Sequence, residues 1–301
     1  MNINKNSQSV SGILMAVGAY FIWGILPVYW KLLQTVPPLE ILAHRIIWCL
    51  LFLLSILFLS KNIAAAKAEL SRIIEHPTKA TGVILAALFL TVNWYSYIWA
   101  VNNDLVIQAS LGYYINPLIS VLMGVVVLKE KLSKWQIIAC VLAFCGVTIL
   151  TVNYGTVPWI ALVIAFSFAL YGLTKKIINI EPITSLILES SIMSIFALIY
   201  LFHLHNHHLG SFGNAEISIT LLLLGAGIVT SVPLILFSRA VNRLSLSLMG
   251  FLQYINPTFS LLLGIFIFHE TFSFTHLTAF SIIWTGLLLF SISSYKNSSP
   301  V

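Results

Sequence analysis

Charge is scarce in this chain. Lys, Arg, Asp and Glu together make up 8% of its 301 residues, whereas a soluble domain carries about a quarter. A water-facing surface cannot be built from so few charges, so a soluble globular fold is excluded. Cysteine is scarce as well: Cys49, Cys140 and Cys145 all fall inside apolar runs, where a free thiol behaves as a small apolar side chain and no disulfide framework is implied. The sequence also lacks a phosphate-binding loop, a nucleophile elbow, a metal-binding pair and a cofactor fingerprint. Neither a cofactor nor a resident metal is therefore expected.

What the chain has is hydrophobicity, 59% of all residues, gathered into runs of about 20 residues. That is the length a helix rising about 1.5 Å per residue needs to cross a hydrocarbon core about 30 Å thick. The runs predict ten spans: Ser11 to Leu33, Leu39 to Ser60, Ala80 to Val101, Leu105 to Leu128, Ser133 to Val152, Val157 to Leu173, Thr184 to Leu204, Ile217 to Ser238, Ser245 to Phe268 and Phe274 to Ser294. Pro37-Pro38, Asn102-Asn103-Asp104, Asn153-Tyr154-Gly155 and Glu181-Pro182 supply the breaks. The longest connections are 61–79 and the stretch around 205–216. The first run is too long for a cleavable signal and should stay in the mature protein.

The tetrapeptide Tyr114-Ile115-Asn116-Pro117 recurs 140 positions later as Tyr254-Ile255-Asn256-Pro257. At the same offset Ala100-Val101-Asn102 matches Ala240-Val241-Asn242, and Ser120, Gly124, Glu130, Ser133 and Gly146 match Ser260, Gly264, Glu270, Ser273 and Gly286. Asn, Pro and Glu are disfavoured in hydrocarbon, so shared membrane composition does not explain the match. The chain is expected to be two units, 1–152 and 153–301, with five spans each. An odd number of spans makes the second unit enter the membrane from the opposite side, which predicts an all-α integral membrane protein of two inverted five-helix repeats.

Loop charge predicts the orientation. With the amino terminus in the cytoplasm, Lys5, Lys61, Lys67, Arg72, Lys79, Lys129, Lys131, Lys134, Lys175, Lys176, Arg239, Arg243 and Lys296 all lie inside; Lys31 alone lies outside, and Arg45 within a span. Both termini are then cytoplasmic. The net charge of +6 reflects this sorting and contact with the lipid bilayer rather than a nucleic-acid site.

The ten spans in two halves, the paired Tyr-Ile-Asn-Pro segments with their downstream Gly and Glu, the run His44-Arg45-Ile46-Ile47-Trp48, Asn93-Trp94-Tyr95 and Gly112-Tyr113 together resemble the EamA family of the drug/metabolite transporter superfamily, and within it the RarD group. The similarity spans nearly the whole chain. It implies a bacterial inner-membrane permease with a central cavity, alternating access and a small-molecule substrate.

Several polar residues are candidates for that cavity. Arg45, about six residues into its span, points either to a substrate carboxylate or to snorkelling at the outer interface. Glu189 is its counterpart when Pro38 and Pro182 are aligned, and a carboxylate at that depth either loads and releases a proton or bonds a neighbouring helix. His44 is a second titratable group or a partner for a carbonyl. Asn116, Pro117, Asn256 and Pro257 are expected to kink their helices around the cavity, with direct substrate contact as the other possibility. Tyr114, Tyr254 and Gln253, with Tyr113, are candidates to touch a ligand. Trp23 and Trp94, at mid-span, form either an aromatic wall or packing, while Trp99, Trp135 and Trp159 fit interfacial belts. Glu130 and Glu270 are caps or gate contacts. His203, His205, His207 and His208 suit a solvated turn better than a metal site.

The sequence therefore predicts a secondary carrier of small organic solutes, amino-acid-like metabolites or amphipathic drugs, with proton coupling possible and oligomeric state open. A membrane-embedded enzyme using Glu189, His44 and His269, or a channel, would draw on the same polar cavity.

Overall fold

The computed structural model describes residues 2–103, 105–154, 158–267 and 273–298. Its elements are all helices: α1 (Asn2–Lys31), α2 (Pro38–Leu59), α3 (Ile63–Glu75), α4 (Pro77–Asn102), α5 (Val106–Val126), α6 (Lys134–Tyr154), α7 (Trp159–Ile178), α8 (Pro182–Asn206), α9 (Ile217–Val241), α10 (Leu246–Leu252), α11 (Ile255–Phe266) and α12 (Phe274–Ser298). Ten stretches among the described residues are long and apolar enough to cross a membrane, α10 and α11 together making one of them. The chain is a multi-pass membrane protein. Phe144, Phe196 and Leu288, exposed by 62, 69 and 64%, sit within spans and belong to the lipid-facing surface.

Local chemistry sets the ends. Pro38, Pro77 and Pro182 open their helices, a position where the missing N–H costs nothing. Glu181 caps α8 by accepting from the Thr184 N–H at 2.7 Å. Asn179, left-handed at φ 42°, stops α7. That stop lies beyond the expected end at Leu173, so Lys175 and Lys176, expected in a cytoplasmic loop, belong to the span instead. A second difference is α3. The segment between the second and third spans was expected to be a connection, but Ala64, Ala65 and Ala66 favour helix, and its amphipathic turn buries Ile73 while exposing Ile74.

The two Tyr-Ile-Asn-Pro segments differ. Pro117 lies inside one continuous helix. The second breaks at Gln253-Tyr254, between α10 and α11, and the Gln253 carbonyl that Pro257 cannot bond is taken by the Asn256 N–H at 3.0 Å.

Packing follows a swapped pattern. α1 packs on α9 and α11, while α7 packs on α4 and α5; α2 packs on α9, while α8 packs on α4. The pairs α2 with α8, α5 with α10 and α6 with α12 join each helix to its own counterpart in the other half. The α6–α12 contact is reciprocal: a Cβ on Gly146 would lie 2.8 Å from the Ala279 carbonyl oxygen, and one on Gly286 would lie 2.9 Å from that of Ala139. Both positions need glycine, and the two helices run antiparallel. Between the halves, Tyr20, Trp23, Phe168, Tyr171 and Phe237 form an aromatic cluster.

Candidate functional site

A chain of polar side chains runs between the halves along α2, α7, α8 and α9. At the end bearing the α1–α2 turn, Arg45 is half-buried and its Nε donates to Thr230 Oγ1 at 3.2 Å. Its guanidinium lies 4.6 Å from the Trp30 ring and 4.7 Å from the Trp94 ring, so two indoles flank the cation. Tyr97 and Tyr113, with rings 6.0 Å apart, lie within its electrostatic reach. Helical side chains lean toward the helix N-terminus, which aims Arg45 toward this end.

One turn along α2, the Cys49 thiol meets Ser190 Oγ of α8 at 3.8 Å and has Ser231 of α9 beside it. The chain then reaches Glu189, which is buried. Its Oε1 accepts from Lys175 Nζ at 2.6 Å and from Ser185 Oγ at 2.6 Å, and its Oε2 accepts from Tyr171 OH at 3.2 Å. Lys175 also donates to Ser185 Oγ at 2.7 Å. This buried ion pair lies toward the end bearing the α7–α8 turn.

Other bonds hold that same end together. Glu130 accepts from the Leu246 and Ser247 N–H groups and from Ser247 Oγ at 2.6, 2.9 and 2.6 Å, so it caps α10 from the other half. Lys176 donates to the Leu244 carbonyl at 2.5 Å, and Asn242 donates to that of Ile180 at 3.0 Å. Glu270 and His269 lie outside the described residues.

The remaining candidates separate into groups. Trp94 is at Arg45, but Trp23 packs in the aromatic cluster, with ring centroids 5.7 Å from Phe168 and Phe237. Tyr113 pairs with Tyr97 within the electrostatic reach of Arg45; Tyr114 stands edge-on to Phe280 at 5.2 Å, and Tyr254 is buried beside Phe251. Gln253 is buried at the helix break, with no hydrogen bond to its amide group among the described residues. Asn116 donates to the Ala165 carbonyl of α7, as Asn93 does to Ile164 at 2.9 Å. Both bonds join the halves. The rings of His203 and His207 lie 4.5 Å apart, and no group of three metal-ligating residues occurs among the described residues.

His44 accepts from Trp48 Nε1 at 3.2 Å and stacks on Phe212 at 4.8 Å. Its neighbour Glu40, which drew no attention in the sequence, is fully buried and accepts from Ser211 N, Ser211 Oγ and Phe212 N at 2.6, 3.0 and 3.2 Å. It ties the α8–α9 connection over the Arg45 end. Trp30, Lys175 and Tyr171 were also missed. Trp30 lies in the last turns of α1, and Lys175 was counted as a loop cation, so neither stood out as a polar residue inside a span.

The EamA-like transporter family model matches residues 10–152 and again 156–292. "Uncharacterized transporter YojE" of Bacillus subtilis is 42% identical, covering 97% of this chain and 97% of its own. "Protein RarD" of Escherichia coli is 41% identical over 94% of each chain, and its Salmonella typhi namesake is 41% identical, covering 94% of this chain and 95% of its own. A solved crystal structure has the same fold, with a TM-score of 0.69 at 17% identity, covering 94% of this chain and 98% of its own. The chain belongs to the EamA-like transporter family.

Proposed function

We propose that this family member is a secondary carrier of small organic solutes, working by alternating access between two inverted five-helix units, 1–152 and 153–301. The observation that carries the proposal is the polar path buried between the halves. It starts at Arg45 and Thr230, passes Cys49, Ser190 and Ser231, and ends at Glu189 and Lys175, with helices of both units on its walls. Polar groups at that depth are costly unless they serve a route or a partner. The swapped helix pairings and the reciprocal Gly146 and Gly286 contacts support two units that can rock about a shared centre.

In this scheme the Glu189 end is the closed gate. Opening it parts Glu130 from α10, Lys176 from Leu244 and Asn242 from Ile180, and exposes the Lys175–Glu189 pair. A proton on Glu189 cancels its attraction for Lys175, so the pair is also the place where a proton would couple to transport. Loop charge supports a bacterial inner membrane location with both termini cytoplasmic, which puts Arg45 toward the outside.

Purified protein in liposomes tests this reading with a radiolabelled metabolite panel. A carrier gives saturable uptake and counterflow. Passive conductance, or no flux for any solute, contradicts it.

A further inference from the structure

We infer that the Arg45 end of the polar path is a carboxylate site. It is built for a small organic acid that forks onto the guanidinium and lays its apolar body along the rings of Trp30, Trp94, Tyr97 and Tyr113. The inference rests on the carrier reading and names its substrate class.

A guanidinium carries five N–H donors. One, on Nε, is bonded to Thr230 at 3.2 Å, and no hydrogen bond from the terminal nitrogens is seen among the described residues. No carboxylate among those residues lies within 4.0 Å of Arg45. Glu40, on the same helix, has both oxygens engaged by Ser211 and Phe212. Among the described residues the charge is therefore met by two aromatic faces and one hydroxyl, which leaves the planar fork that pairs with a carboxylate. Lys175 gives the contrast. Where the fold neutralises a buried cation with its own carboxylate, it supplies Glu189 at 2.6 Å. At Arg45 it supplies aromatic walls instead, suited to a flat apolar body.

Tryptophan fluorescence of the purified protein reads the binding, since two indoles flank the site. The probes are 3-phenylpropionate against its neutral amide, and phenylalanine against phenylalaninamide; the two pairs separate a plain acid from an amino acid as the carboxylate's source. At least one acid should bind saturably, roughly ten- to a hundredfold tighter than its amide. Arg45→Gln should erase that preference and Arg45→Lys should keep part of it. Equal binding of acid and amide in both pairs overturns the inference, as does a preference that survives Arg45→Gln. Should Arg45→Gln fail to fold, the acid–amide comparison on the unaltered protein decides alone. An acid that binds but shows no saturable flux in liposomes counts against the carrier reading and leaves the site standing; saturable flux of a neutral solute with no acid preference does the reverse.

Discussion

Arg45 and Glu189 stand at the same place in the two halves, seven residues after Pro38 and Pro182, yet their surroundings are opposite. Glu189 is buried with a lysine, a serine and a tyrosine on its two oxygens. Arg45 is half-buried between two indoles with one bonded hydroxyl. The same family model matches both halves, and of these two corresponding positions one is self-sufficient while the other, among the described residues, keeps donors to spare. A self-satisfied pair holds a conformation together; a cation with no carboxylate within 4.0 Å among the described residues is the one proposed to receive a ligand.

The largest expected effect breaks the self-sufficient side. Glu189→Gln leaves the buried Lys175 charge without its counterion and should lower stability by about 3–5 kcal/mol, read as a fall in thermal unfolding temperature in detergent. Pairing it with Lys175→Gln should recover most of that loss. A double variant no more stable than the single one would mean that the pair does not behave as a unit. In liposomes the double variant should transport with a flattened pH profile, and an unchanged profile would remove the pair from proton coupling.

Next in size is Glu40→Gln. It weakens charge-assisted bonds to Ser211 and Phe212 and should cost about 1–3 kcal/mol, with faster proteolysis of the 207–216 connection as a second readout. Asn116→Ala against Asn256→Ala sharpens the comparison between the halves at another equivalent pair. Asn116 is buried and bonds Ala165 across the interface, so its loss should cost about 1–3 kcal/mol. No side-chain bond is seen for Asn256 among the described residues, and its substitution should stay within about 0.5 kcal/mol. Equal losses would show that the two motifs do the same work. Arg45→Gln separates stability from ligand recognition. Its stability should change by about 2 kcal/mol or less, the scale of cation–π contacts, while ligand preference changes most.

The ten spans were legible because each is one uninterrupted apolar run, and the duplication because Asn, Pro and Glu recur where a membrane does not favour them. Arg45, Glu189 and Trp94 were legible for the same reason, as polar or amphipathic residues out of place. Their partners were not. Trp30, Lys175 and Tyr171 reach the site from helix ends or from an aromatic run, and the contacts that recruit them, such as Arg45 with Thr230 across 185 positions, leave no periodicity to read. The helix α3 escaped because thirteen residues with charges on one face look like a linker when only long apolar runs are sought. The break before Pro257 and the continuity through Pro117 could not be told apart from identical tetrapeptides, which do not record that the Gln253 carbonyl is taken by the Asn256 N–H.

The central claim is that two related units face opposite ways around a shared polar path. Single cysteines placed at Lys131 and at Ser273, with the three native cysteines replaced by serine, test it through labelling with an impermeant maleimide in intact cells and in inverted membrane vesicles. The account predicts that Ser273→Cys is labelled from outside the cell and Lys131→Cys from the vesicles alone. Labelling of both from the same side of the membrane contradicts it.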